Sequence, residues 1–171
     1  MITIVKTGSE GIPLIQGLSH LIWPETYRHI LTEEQISYML DMMYSDESLG
    51  EQINWKHHQF ILAYDDNKPV AFSSYGLKPE TEDVYRLHKL YILPGLQGKG
   101  IGKLLIEFII KEIKDSGIHL LELNVNKQNQ AMGFYLKLGF KIIREEKIEI
   151  GRRFFVEDYI MAMPLPGLMV T

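Results

Sequence analysis

The stretch Val84-Tyr85-Arg86-Leu87-His88-Lys89-Leu90-Tyr91-Ile92, followed through Pro94-Gly95 by Gln97-Gly98-Lys99-Gly100-Ile101-Gly102-Lys103, decides how the whole chain is read. Its first half is rich in aromatic and aliphatic residues and reads as a strand closed by a Pro-Gly stop. Ile101, Leu104, Leu105, Phe108, Ile109 and Ile113 then recur at helical spacing, with Gly117 placed as the C-terminal cap. At the junction, glycines at 98, 100 and 102 remove Cβ atoms, so consecutive backbone N–H groups can converge on an anion at the positive end of the helix. The junction is therefore expected to cradle a phosphate. Two familiar nucleotide loops fail here on residues. A P-loop needs Gly where Gln97 stands and Ser or Thr where Leu104 stands. A dinucleotide fingerprint needs G-x-G-x-x-G in a parallel βαβ unit, whereas these glycines are spaced G-x-G-x-G after an antiparallel meander.

Upstream, Asp65-Asp66-Asn67-Lys68 separates Gln59–Tyr64 from Pro69–Leu77, predicting a hairpin. Residues 2–6 read as an opening strand. Ile12, Ile15, Leu18, Leu21 and Ile22 predict a helix that Pro24 should stop or kink. Thr32 with Gln35 is a capping-box pattern, and Ile36, Met39, Leu40 and Met43 follow on one helical face. That face reads as core, or as an adaptable wall for a substrate. Downstream come a strand at Ile118–Val125, a short helix at Gln130–Leu138 ended by Gly139, and a strand pair, Phe140–Lys147 and Phe154–Met163, turning at Gly151. Pro164 to Thr171 reads as a loose tail. The expected organisation is one domain over 1–165, with 166–171 as tail.

A chain of 171 residues with 46% apolar and 23% charged side chains fits a soluble globular domain. The 22 acidic residues outnumber 18 basic ones, so no global field draws in nucleic acid. Without cysteine there is no disulfide, thiol nucleophile or thiolate zinc site, and no metal is expected. The N-terminus lacks signal-peptide character and no apolar run is long enough for a membrane span, which makes a cytoplasmic location the expectation.

Gln97-Gly98-Lys99-Gly100-Ile101-Gly102 resembles the acetyl-CoA loop Q/R-x-x-G-x-G/A of the GCN5-related N-acetyltransferases (GNAT). A second signature of that family, an Asn, an Ala and then F-Y-x-x-x-G-F, is matched by Asn126, Ala131 and Phe134-Tyr135-Leu136-Lys137-Leu138-Gly139-Phe140. The resemblance implies an α+β fold: a central, mostly antiparallel seven-stranded sheet splayed in a V and flanked by about four helices. It also implies acetyl-CoA as co-substrate. Backbone groups of Leu90, Tyr91 and Ile92 are then expected along the pantetheine arm, with the Leu90 N–H as oxyanion donor. Gln97, Gly98, Lys99, Gly100, Ile101, Gly102 and Lys103 form the pyrophosphate turn, and Asn129, Phe134 and Lys137 contact the CoA arm from the opposite lip. Tyr135 matches the general acid that protonates the leaving thiolate.

Several family members place a basic Glu where this chain has Arg86, which cannot act as a base. His88 shares the strand and, barring a bulge, the face of Arg86, so it is the candidate base. Glu122 and Asn124 on the next strand offer a water chain as the alternative. The segment Ile150-Gly151 with Asp158-Tyr159-Ile160-Met161 resembles a bacterial subgroup that includes spermidine/spermine N-acetyltransferases, as does Trp23-Pro24-Glu25-Thr26-Tyr27. On that resemblance Trp23, Glu25 and Tyr27 are expected to hold a small amine such as a polyamine by anionic and cation–π contacts. Arg152-Arg153 argues the other way. Acetyl transfer to a protein N-terminus or lysine, and a non-catalytic acyl-CoA-binding module, stay open, as does a homodimer.

Overall fold

A computed structural model describes residues 1–81 and 83–165. In chain order the elements are β1 (Ile2–Thr7), α1 (Ile12–Tyr27), α2 (Glu33–Tyr44), α3 (Asp46–Asn54), β2 (Gln59–Asp65), β3 (Lys68–Leu77), β4 (Tyr85–Ile92), α4 (Ile101–Ile113), β5 (Leu120–Asn126), α5 (Ala131–Leu138), β6 (Lys141–Gly151) and β7 (Phe154–Pro164). The α+β class and the seven strands stand as expected, with five α-helices rather than about four. The extra helix is α3. It is short, its buried face holds only Leu49 and Gln52, and its start is fixed by Ser45 Oγ accepting the Ser48 N–H at 3.1 Å. Two turns give too little periodicity to stand out in sequence.

Pro24 does not stop α1, which runs on to Tyr27. Proline there forfeits one helical hydrogen bond. The helix holds because Ile22, Trp23 and Tyr27 continue its buried face across the proline. Pro164 does not belong to a loose tail. That residue pairs with Leu120 on β5, and Leu165 is buried with its N–H on the His119 carbonyl at 2.8 Å. Residues 166–171 lie outside the described residues.

The strands lie in the order β1-β2-β3-β4-β5-β7-β6, and every neighbouring pair is antiparallel except β4–β5. That parallel pair holds for three residues, Tyr85↔Leu121 to Leu87↔Leu123, and then stops. The cause lies on the other edge of β4. Ser74 pairs with Lys89 and Tyr75 with Leu87, leaving His88 as an extra residue. Such a bulge bends its strand and adds twist, which carries Leu90–Ile92 away from β5. The result is the expected V. One face of the sheet packs on α4 and α5 through Leu87, Leu105, Ile109, Leu121, Leu123 and Phe140. The opposite face packs on α1–α3 through Ile22, Trp23, Leu40, Tyr44, Phe60 and Phe72.

Candidate active site

The glycine turn meets α4 at the foot of the V. Gly98 and Gly100 have φ of 79° and 86°, and Gly100 is the residue at the helix start. No side chain caps this end, and the first amide to reach back is that of Leu104, to the Gly100 carbonyl at 3.1 Å. The amides of Ile101, Gly102 and Lys103 are thus the unpaired first-turn donors that make a helix N-terminus anion-seeking. The glycines divide the work. A Cβ at Gly98 or Gly100 would meet nothing within 4 Å, whereas one at Gly102 would lie 2.9 Å from Phe134 Cζ and 3.4 Å from Ile92 Cδ1. Gly98 and Gly100 provide the positive φ, and Gly102 lets Phe134 and β4 close on the helix. Gln97 and Lys99 are exposed beside the turn, exposed Lys103 pairs with Glu107 at 3.9 Å, and Lys137 is exposed in the last turn of α5.

Backbone alternation assigns the edges of β4. The Leu93 N–H donates to the Val70 carbonyl on the β3 side at 2.9 Å, and Phe72 stands opposite Tyr91. Hydrogen-bonded and non-bonded pairs alternate along an antiparallel ladder. Tyr91 therefore turns its main-chain groups to β3, while Leu90 and Ile92 turn theirs into the V. Of the three residues expected to offer backbone groups, Tyr91 instead contributes its ring. On the opposite lip Asn129 Oδ1 accepts the Ala131 N–H at 2.9 Å and fixes the start of α5.

Three phenols converge below the V. Tyr27 Oη and Tyr91 Oη lie 3.0 Å apart, and Tyr135, buried on α5, packs edge-on to Phe140. Burial, reinforced by Tyr27, pushes the Tyr135 hydroxyl well above the ordinary phenol value. It remains a neutral proton donor at every physiological pH. Trp23 is 2% exposed and donates to Tyr44 Oη at 3.2 Å, its ring enclosed by Tyr27, Tyr44 and Tyr91. Glu25 points outward to Arg28 at 3.7 Å. Of the residues expected to hold the acceptor, only Tyr27 reaches the cleft, with Trp23 buttressing it from behind.

The bulge gathers a polar cluster. His58 and His88 stack with ring centroids 3.7 Å apart, and His58 Nδ1, Ser74 Oγ, Arg86 Nε and His88 Nε2 are buried atoms without a partner among the described residues. Beside them Lys89 donates to Gln52 Oε1 at 2.7 Å and sits over the Tyr44 and Phe60 rings. Burial first, then Lys56 and Arg86, lower its amine to about 7. Burial also lowers His58 to about 4 and His88 to about 2, aided by Lys89, Arg86 and Lys56 and, for His88, by His58. The sequence made His88 a base titrating near neutrality. In this packing it is a neutral imidazole, because a proton there would lack water and face only cations. Glu122 is no freer, since its buried carboxylate pairs with Lys78 at 2.9 Å and Arg144 at 3.2 Å.

These two histidines carry a stability prediction. Both native values lie below the ordinary 6.5, so the unfolded chain binds more protons over the interval between. Stability that is complete above about pH 6.5 must fall away as pH drops towards 4 and 2. Thermal unfolding is expected to show a lower midpoint at pH 5 than at pH 7.5, and His58→Gln with His88→Gln to flatten that fall. Equal slopes in both proteins would remove the histidines from the effect.

Sequence reading missed Lys89, His58 and Asp158. Asp158 lies on β7 opposite Asn126, half-buried, with Asn124 Nδ2 3.4 Å from its carboxylate. Alternation along Phe154-Val156-Asp158-Ile160 is the signal that puts it on the cleft face.

The chain matches a family model described as an acetyltransferase (GNAT) domain over residues 28–156. An uncharacterised N-acetyltransferase of Mycobacterium tuberculosis is 30% identical over 133 residues, 77% of this chain and 83% of that protein. The spermidine N(1)-acetyltransferase of Thermoplasma acidophilum is 30% identical over 146 residues, 82% of this chain and 89% of that protein. The crystal structure of the PaiA N-acetyltransferase from Thermoplasma acidophilum in complex with coenzyme A superposes with a TM-score of 0.80 at 28% identity, covering 96% of this chain and 99% of that one.

Proposed function

The chain belongs to the GNAT acetyltransferase family, and from that premise we propose that it carries the acetyl group of acetyl-CoA to the primary amine of a polyamine by direct attack. The observation that carries this reading is the alignment of an uncapped amide turn at Gly98–Lys103, a splayed strand edge at Leu90 and Ile92, and a buried neutral phenol at Tyr135. The first binds pyrophosphate, with Gln97 and Lys99 at its rim. The second lies along the pantetheine arm, and the Leu90 N–H donates to the acetyl oxygen as negative charge develops there. The third protonates the departing thiolate and regains its proton from solvent, into which the amine nitrogen releases the proton it loses on forming the amide. Asn129, Phe134 and Lys137 are assigned to the opposite lip, and Tyr27 to the acceptor side. The polyamine assignment is supported by the likeness to the spermidine enzyme of Thermoplasma acidophilum.

The test is an amine panel with acetyl-CoA, read by free thiol release. Spermidine and shorter diamines are expected to turn over faster than lysine or N-terminal peptides. Transfer to peptides with none to polyamines would move the acceptor to a protein, and CoA binding without transfer to any amine would leave an acyl-CoA-binding module.

A further inference from the structure

We propose that Asp158 is the carboxylate that holds the acceptor's ammonium group beside the point of transfer, an inference that rests on the acetyltransferase reading of the same cleft. The placement comes from strand register. β4 and β5 pair at Leu87↔Leu123 before they part. Had they stayed together, with His88 counted as the extra residue of the bulge, Leu90 and Tyr91 would stand opposite Val125 and Asn126, and the β7 partner of Asn126 is Asp158. Asp158 is therefore level with the Leu90–Tyr91 peptide, across the V. The alternation that buries Leu121, Leu123 and Val125 against α4 sends Glu122, Asn124, Asn126 and Asp158 to the opposite, acceptor-side face.

Asp158 also differs from its neighbours in what it touches. Glu122, Glu145, Glu146 and Glu157, all on β5–β7, each have a Lys or Arg nitrogen within 4 Å. Asp158 has none among the described residues. Its polar contact is the Asn124 amide at 3.4 Å, a length that holds the carboxylate only loosely. Burial and the nearby Glu146 raise its pKa, while Asn124 and Arg86 draw it back. A half-buried carboxylate with no cation within 4 Å, and only the more distant charge of Arg86 to offset it, is costly unless a positive group arrives. The ammonium of an amine is such a group, and Tyr27 and Arg86 are close enough to shape its approach. Arg86 confines the cation to the Asp158 side of the cleft by repulsion.

The experiment is calorimetric titration of 1,4-diaminobutane into the CoA-loaded protein, with CoA affinity measured alongside as the check on folding. Charge-assisted hydrogen bonds of this kind lead us to expect about 30-fold weaker diamine binding in Asp158→Asn with CoA affinity unchanged. Asp158→Glu, which keeps the charge, should retain most of the binding, an order a merely structural role would not produce. Diamine affinity within twofold of wild type in Asp158→Asn, or no diamine binding by the wild type, overturns the proposal. Diamine binding that depends on Asp158 without any acetyl transfer would uphold it and count against the acetyl-transfer reading alone. Should Asp158→Asn fail to bind CoA, Asp158→Ser and Asp158→Glu supply the same comparison.

Discussion

Tyr135→Phe is expected to lower turnover by roughly 10²-fold or more while leaving CoA affinity within a factor of about two. The substitution removes only a hydroxyl. The ring, which packs on Phe134 at 5.2 Å between centroids and on Phe140 at 5.6 Å, remains. Phe is also cheaper to bury than Tyr at this site, because the buried Tyr135 hydroxyl has no hydrogen-bond partner among the described residues. Stability should therefore hold or rise. A structural role for Tyr135 predicts unchanged turnover, whereas an acid role predicts a loss confined to kcat with KM for the amine little altered. The raised pKa adds a second signature. A phenol held well above its ordinary value stays protonated across the working range, so its ionisation should add no basic limb below pH 9 to the wild-type profile. Steady-state kinetics on one amine, with calorimetry on CoA, separates the two accounts.

What the sequence disclosed and what it hid follow from the range of the interactions involved. The turn at Gly98–Lys103 was legible because each of its determinants is local: glycine tolerance of positive φ, the onset of helical spacing, and the strand before it. The seven strands and the V followed from the same stretch and its resemblance. The neutral state of His88 was not legible. It depends on a bulge defined by the pairing of β4 with β3, on a stacked ring that enters from the residue before β2, and on Lys89 and Arg86 closing in. Trp23 looked like one side of an aromatic cage because its burial is made by Tyr44 from α2 and Tyr91 from β4, both distant in sequence. Of the two outcomes expected at Pro24, a stop or a kink, the stop fails for the opposite reason. Its local penalty is real, but the long-range burial of Trp23 and Tyr27 exceeds it. Asp158 was visible in the sequence as part of the Asp158–Met161 resemblance, with no role attached to its carboxylate. Only the pairing of its neighbours with cations, a property of the folded sheet, sets it apart.

Gly100→Asp should abolish CoA binding in a protein that still folds, and the comparison with Gly100→Asn shows why. Gly100 has φ of 86° at the start of α4, and an added Cβ would meet no protein atom within 4 Å. Asn and Asp are the side-chain-bearing residues best suited to that backbone region, so both variants carry a similar, modest conformational cost. They differ in charge. An Asp carboxylate beside the amides of Ile101–Lys103 would occupy the position that favours an anion, capping the helix while repelling the pyrophosphate. Two unit charges about 4 Å apart in an environment of effective dielectric near 20 interact by about 4 kcal/mol, close to three powers of ten in affinity. Gly100→Asn removes that repulsion and leaves only crowding, so it should bind CoA more weakly than wild type but far more tightly than Gly100→Asp. High salt should narrow the gap between the variants, because this turn is exposed and its charges are screened. Equal CoA affinities for Gly100→Asp and wild type, measured by calorimetry on folded proteins, would move the pyrophosphate away from this turn.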